Sequence, residues 1–125
     1  MKRLAFGVLV SASCLTLAAE TPKAIPKQFL GTWSSSITSC RDRDHDHSFM
    51  TIEGLRLSFY ESSGRVLAVA TSGKRELALL VELKGEDNAL LDALKFRLSE
   101  DNNTLTTVNG FQSGMTRVRC NAEGK

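Results

Sequence analysis

The sequence predicts an all-β fold in which one antiparallel meander of about eight strands closes into a small barrel. Apolar and polar side chains alternate with period two along most of the chain, and helical periodicity does not recur. Short runs rich in Gly, Ser, Asn and Asp separate these segments and favour hairpin turns. The chain of 125 residues suits one domain, and closure removes the unpaired edges of an open sheet.

The first residues have the pattern of a secretory signal peptide. Lys2 and Arg3 form a basic start, the segment 4–17 is apolar and small, and small side chains near Ala19 suit a cleavage site. We therefore expect removal of residues 1–19 and a periplasmic or secreted protein.

The charge of the chain argues against several classes of partner. Signal removal takes two of the 16 basic residues and leaves 14, equal to the 14 acidic residues. Because a neutral chain exerts little long-range attraction on phosphates, we expect no nucleic-acid partner. No window offers the roughly 20 apolar residues of a membrane-spanning helix, so no transmembrane segment is expected. A nucleotide-binding glycine loop and a paired CxxC site are both missing from the sequence, and we expect no cofactor.

The three cysteines indicate a disulfide. Cys14 lies in the signal segment, which leaves Cys40 and Cys120 as a pair in an exported protein. A bond between them would close a loop of about 80 residues and stabilise the fold by on the order of 4 kcal/mol. In the alternative, Cys14 carries a lipid. However, Ser11 stands where a lipoprotein signal has a large aliphatic residue.

After the signal we expect a polar leader over 20–28, followed by the barrel domain over 29–125. The segment 88–94 would also suit one or two helical turns because of its leucines and alanines, and we assign it to a strand. The predicted strands are 29–37, 48–53, 55–61, 65–71, 76–84, 90–99, 104–108 and 115–120.

The strand order conflicts with the disulfide. In an up-and-down barrel of eight strands, the ends of the first and last strands lie at opposite rims, whereas a disulfide needs Cα atoms within about 7 Å. Cys40 therefore reaches Cys120 only if the stretch 34–40 folds back, if Cys120 lies in a returning tail, or if the strand count is off by one.

The segment FLGTW ending at Trp33, together with Arg117 and Arg119, resembles the Gly-x-Trp first strand and C-terminal arginine of lipocalins and fatty-acid-binding proteins. The resemblance implies a lipocalin-like barrel in which Trp33 closes one end and an arginine packs across its ring. Alternatively, Trp33 lines a ligand cavity. The patterns IPxxFxGxW, FYESxG and RxRC are also similar to small exported proteobacterial proteins. Barrels that inhibit a protease or a lysozyme share this general build.

The run from Asp42 to His47 contains both histidines of the protein and three carboxylates. In extended form it would place the two imidazoles on one side, which suits a transition metal. No third soft ligand stands at a recognisable spacing, so we interpret the run as a polar connection without a metal. Its exposed side chains are candidate contacts for a partner: Asp44, His45, Asp46 and His47.

Phe111 lies in the glycine-flanked segment 109–114. An aromatic side chain there either contacts a partner or folds back over the barrel mouth. We assign no catalytic residues, because no nucleophile-elbow pattern surrounds the serines near the histidines. The glutamates that could pair as acid and base fall on the polar phase of their strands, namely Glu53, Glu61, Glu76 and Glu82.

The inward phase of the strands carries large apolar residues with little glycine, which favours a packed core over a roomy cavity. We therefore expect a non-catalytic, inhibitor-like protein that binds another periplasmic or envelope protein through its rim loops. The alternative is a carrier of a small apolar ligand in a lipocalin-like cavity. The oligomeric state does not follow from the sequence.

Overall fold

The computed structural model describes residues 5, 7–9 and 23–121. The expected signal segment, with Cys14 and the cleavage point after Ala19, lies almost entirely outside these residues. Within the described part, no helix has both the length and the apolar character needed to cross a membrane.

Eight strands follow one another within the described residues, separated mostly by short connections. They are β1 Gly31–Ser34, β2 Met50–Glu53, β3 Arg56–Phe59, β4 Ser63–Ser72, β5 Glu76–Lys84, β6 Ala89–Leu98, β7 Thr104–Asn109 and β8 Thr116–Arg119.

Each strand pairs antiparallel with the next, and β1 also pairs with β8, so the meander closes into a barrel as predicted. The closing contact places Trp33 opposite Arg119 and Ser34 opposite Val118. Most of the segment 88–94 belongs to β6, which confirms its assignment to a strand. Pairing along the whole of β5 holds that segment extended.

Apolar side chains on the inward phase fill the barrel. Each fully buried large apolar side chain stabilises the fold by roughly 1.5–3 kcal/mol before entropy is counted, so this packing is the main favourable contribution. The residues before β1 also contribute, because Ile25 of the leader and Phe29 are buried and a 3₁₀ turn spans Lys27–Phe29. The side chains less than 2% exposed include Phe29, Trp33, Met50, Ile52, Leu57, Leu77, Leu94, Phe96, Leu98 and Leu105.

The two ends of the barrel differ. Because neighbouring strands run in opposite directions, alternate connections lie at the same end. The tight-turn end has short connections with Gly54 and Gly73 at positive φ, and Gln28 of the leader reaches it by donating to the Lys74 carbonyl. The other end, which we call the loop rim, carries the connections 35–49, 60–62, 85–88 and 110–115.

Cys40 and Cys120 form the expected disulfide, with their Cα atoms 5.6 Å apart. Cys120 extends the pairing of β8 along β1, where its N–H donates to the Thr32 carbonyl at 2.8 Å. The chain after β1 turns back through the 3₁₀ turn Ser39–Arg41 and brings Cys40 to the same place. The conflict is therefore resolved by the folding back of 34–40, with the strand count unchanged.

Candidate partner-binding rim

The connection between β1 and β2 is compact. Its second 3₁₀ turn, Arg43–His45, separates the two imidazoles that an extended chain would place side by side. His45 Nδ1 lies 2.9 Å from Asp42 Oδ1, whereas the His47 ring packs against Tyr60 with ring centroids 4.3 Å apart. The hydrogen bond and the charge of Asp42 raise the pKa of His45 above its ordinary value.

Within the described part of the chain, no three His, Cys, Asp or Glu side chains lie close enough together to hold a metal ion. In the connection between β1 and β2, His45 contacts Asp42 and His47 contacts Tyr60, so the two imidazoles do not share a metal site. Asp44 and both histidines remain exposed.

Asp46 differs from the expectation that it contacts a partner, because its side chain is only 6% exposed. Its carboxylate accepts hydrogen bonds from the hydroxyls of Ser34 and Ser48, and from the Ser48 N–H at 2.9 Å. Burial of a carboxylate requires such partners. Asp46 therefore fixes the connection to the barrel from inside.

Arg117 lies buried under the loop rim, 1% exposed. Its Nε donates to the Ser48 carbonyl at 2.6 Å, Nη1 donates to Thr107 Oγ1 at 3.1 Å, and Nη2 donates to the Gln112 side-chain oxygen. Burial lowers the pKa of Arg117 to about 10, opposed by the charge of Asp46, so the guanidinium stays protonated at neutral pH. One charged side chain thus holds two rim connections from within.

Arg119, the second arginine of the expected closure, lies at the tight-turn end. Its guanidinium stacks over the ring of Trp33, which is fully buried and donates from Nε1 to the Phe29 carbonyl at 3.1 Å. Burial lowers the pKa of Arg119. Gly31 has φ +123, and a Cβ there would lie 3.3 Å from Arg119 Nη1, which explains physically why glycine stands two residues before the tryptophan.

Phe111 folds back over the barrel mouth and remains 41% exposed. Its N–H donates to Asp92 Oδ2 at 2.7 Å, and its ring meets Phe59 edge-on with centroids 5.1 Å apart. Gly110, at φ +92, lets the chain pass close to β6, because a Cβ there would lie 2.5 Å from the Ala93 carbonyl oxygen. The aromatic side chain is thus held in place and still accessible.

An open groove of about 410 Å³ lies beside Phe111, between the connections 60–62 and 85–88. We call it the rim groove. Its lining combines apolar side chains with carboxylates and the neutral polar residues Ser62 and Asn88. Among the described residues, none of these carboxylates forms an ion pair. The apolar residues are Leu83, Leu90 and Phe111, and the acidic ones are Glu61, Glu86 and Asp87.

The sequence interpretation included Phe111 but not the residues that share the groove with it. Leu90 lies on β6 and Glu61 lies in the connection between β3 and β4, far apart in the sequence. Taken singly, Leu90 is an ordinary apolar position of an alternating strand and Glu61 is an ordinary polar position of a turn. In an antiparallel meander, successive connections alternate between the two ends of the barrel. This rule, applied to the sequence, would have placed the connections 60–62, 85–88 and 110–115 at the same end.

Comparisons with protein-family models, with curated proteins and with solved structures give no match to this chain.

Proposed function

We propose that this is a non-catalytic, inhibitor-like binding protein of the periplasm or the extracellular medium that contacts another protein through its loop rim. The observation that carries the proposal is the rim groove, where exposed apolar side chains stand beside carboxylates without ion-pair partners in the described structure. A central apolar anchor with a charged border is the usual composition of a protein interface.

The charges of the groove define the chemistry of the partner. Glu61, Glu86 and Asp87 favour a basic segment, whose lysine or arginine stems can cover Leu90 and Phe111 while their charged ends reach the carboxylates. The inner contacts of Arg117 and Asp46 support such a role, because loops that are ordered before binding lose less entropy on association.

The compartment is part of the proposal. The disulfide between Cys40 and Cys120 is compatible with an oxidising environment such as the periplasm. The signal-like sequence before Ala19 and the resemblance of the barrel to lipocalin-type folds support export and a binding role.

The carrier alternative has less support. The inward positions are filled by the protein's own side chains, including Leu77, Leu79 and Leu94. A second groove, of about 400 Å³, is open to solvent and is lined by outward residues of β4 to β6 together with Val69, Leu79 and Leu94. Native mass spectrometry of the exported protein separates the two functions, because a retained fatty acid would favour the carrier.

Affinity capture from an envelope extract tests the binding role, with the oxidised protein immobilised at low density. Leu90→Ser and Leu91→Ser form a matched pair, since both leucines are exposed and only Leu90 lines the rim groove. We expect a captured basic protein whose affinity falls about tenfold or more with L90S and stays unchanged with L91S. Equal capture by both variants, or no captured protein, would overturn the proposal.

A further inference from the structure

The strand β6 extends beyond its neighbour β7 at the loop rim. Residues 89–97 of β6 pair with β5, but only Lys95–Leu98 pair with β7. The part 89–94 therefore has β5 on one side and, among the described strands, none on the other. The barrel is closed, yet it keeps a short strand edge beside the rim groove.

The main-chain groups of Leu91 and Ala89 point toward this edge. In an antiparallel sheet the N–H and C=O of one residue face the same neighbour, and successive residues face opposite neighbours. Ala93 faces away from β5, because its carbonyl accepts a hydrogen bond from Asn109 Nδ2 of β7 at 3.0 Å. Leu91 and Ala89 are two and four positions from Ala93 and share its direction.

These main-chain groups are available for pairing. Within the described residues, neither β7 nor the connection 110–115 forms a main-chain hydrogen bond to Ala89 or Leu91. Leu91 is 64% exposed, so solvent reaches the edge. Proteins ordinarily protect such an edge with lysine, proline or a bulge, whereas 89–91 reads Ala-Leu-Leu with regular pairing to β5. An extended segment laid along β6 would continue the sheet by strand addition.

A strand added at this edge would present every second side chain to the rim groove. Leu90 lines the groove, whereas the Leu91 side chain faces outward, so only the main chain of Leu91 takes part. A residue opposite Leu90 points into the groove, which Glu86 and Asp87 also line. Lysine or arginine at that position meets carboxylates that have no ion-pair partners in the described structure.

We propose that the partner binds as an extended basic strand that pairs with β6 at Leu91 and Ala89 and directs alternate lysine or arginine side chains into the rim groove. This inference rests on the proposed function, since it specifies how the same rim holds its partner. The pairing is short, because the Ala93 carbonyl is already bonded to Asn109. Affinity then depends on main-chain bonds and on the groove charges together.

A capped seven-residue peptide that alternates lysine and valine is the probe, and calorimetric titration of the oxidised protein measures its binding. In the proposed pairing the lysines face the groove, so the valine N–H groups bond to β6 and the lysine N–H groups face solvent. N-methylation of the valine amides is expected to weaken binding about tenfold or more, and N-methylation of the lysine amides about twofold or less. Equal losses, the opposite order, or no binding of the parent peptide at millimolar concentration would contradict the proposed strand.

Leu91→Pro removes the N–H at the edge and leaves the bonds to β5 intact, because proline is tolerated on edge strands where the N–H faces solvent. It is expected to weaken peptide binding about tenfold or more. Thr71→Pro is the matched control, since exposed Thr71 on β4 also lies beyond the pairing with its neighbour β3, but at the tight-turn end. Thermal unfolding checks that both variants are folded. A folded L91P protein that binds the peptide like the wild type would exclude the edge.

Leu90→Ser separates this inference from the proposed function. Loss of peptide binding with L90S, but not with L91P or valine methylation, would keep the groove as the binding site and refute strand addition. Loss with L91P alone would keep the edge and refute the groove. Sedimentation equilibrium tests the other occupant: a wild-type dimer that L91P dissociates would assign the edge to a second copy of this chain and contradict the basic strand.

Discussion

The guanidinium of Arg119 lies 4.3 Å from the ring centre of Trp33, and the same guanidinium donates to the carbonyls of Leu30 and Gln28. Because these groups belong to the last strand, the first strand and the leader, one side chain joins both ends of the domain. Its Nε also donates to the Asn102 carbonyl at 3.0 Å, which adds the connection between β6 and β7 to the same cluster.

Arg119→Ala is expected to lower the free energy of unfolding by about 2–4 kcal/mol, because charge-assisted hydrogen bonds and the cation–π contact are lost together. Urea unfolding followed by the fluorescence of Trp33, the only tryptophan, measures this. Arg75→Ala is the control, since Arg75 forms an exposed pair with Glu100 and its loss is expected to cost about 1 kcal/mol or less. Equal effects of the two substitutions would show that the contact with Trp33 adds no stability.

Replacement of Cys40 and Cys120 by serine is expected to lower the free energy of unfolding by on the order of 4 kcal/mol, because the unfolded chain regains the freedom of a long loop. Denaturant unfolding measures the loss. Intact mass of the exported wild-type protein should show a chain that begins near Glu20 and takes up no thiol reagent before reduction. Uptake without reductant would contradict the bond.

His45 is expected to titrate above its ordinary pKa of 6.5, because Asp42 stabilises the imidazolium. A raised pKa in the folded state gives stability that is present below pH 6.5 and is lost as the pH rises through the folded value. NMR titration of the His45 ring measures the pKa, and Asp42→Asn is expected to lower it. An unchanged His45 titration in D42N would show that another group causes the shift.

Gly110→Ala is expected to destabilise the protein by about 1–3 kcal/mol, because alanine disfavours the positive φ and its Cβ would overlap the Ala93 carbonyl. Gly85→Ala is the matched control, since nothing lies within 4 Å of a Cβ there. Thermal unfolding compares them, and G85A is expected to remain within about 0.5 kcal/mol of the wild type. A smaller loss in G110A than in G85A would contradict the close approach to β6.

Zinc is expected to bind the oxidised protein more weakly than about micromolar, because His45 and His47 have separate neighbours and cannot complete a four-coordinate site. Calorimetric titration tests this, with the double variant H45A/H47A as the control. One-to-one binding tighter than micromolar that disappears in the double variant would show that the prediction is wrong.

The alternation of apolar residues was sufficient to predict the eight strands and the closed barrel, because period two is imposed by burial of one face of every strand. The disulfide pairing followed from cysteine number and the export pattern. The path by which the chain brings Cys40 to Cys120 could not be predicted, because it depends on a 3₁₀ turn at Ser39–Arg41 that has no periodic pattern in the sequence.

The buried polar groups could not be predicted from the pattern of apolar and polar residues. Arg117 and Asp46 are charged, and charged residues on a strand or in a polar run ordinarily face solvent. Their burial depends on partners supplied by distant segments, such as the Ser48 carbonyl and Gln112. The alternation of turns groups the three connections of the rim groove at one end, but it does not indicate that Leu83 and Leu90 of the strands beside them share the groove.

The seam between β1 and β8 has a consequence for the order of assembly. A chain that is synthesised N-terminus first holds β1 without its β8 partner until the last strand has been made, so the barrel cannot close earlier. Until that moment β1 presents an edge that can pair with another chain. The bond from Cys40 to Cys120 forms beside this seam. It therefore converts a late, long-range contact into a permanent one and limits exposure of the β1 edge to the time before the barrel closes.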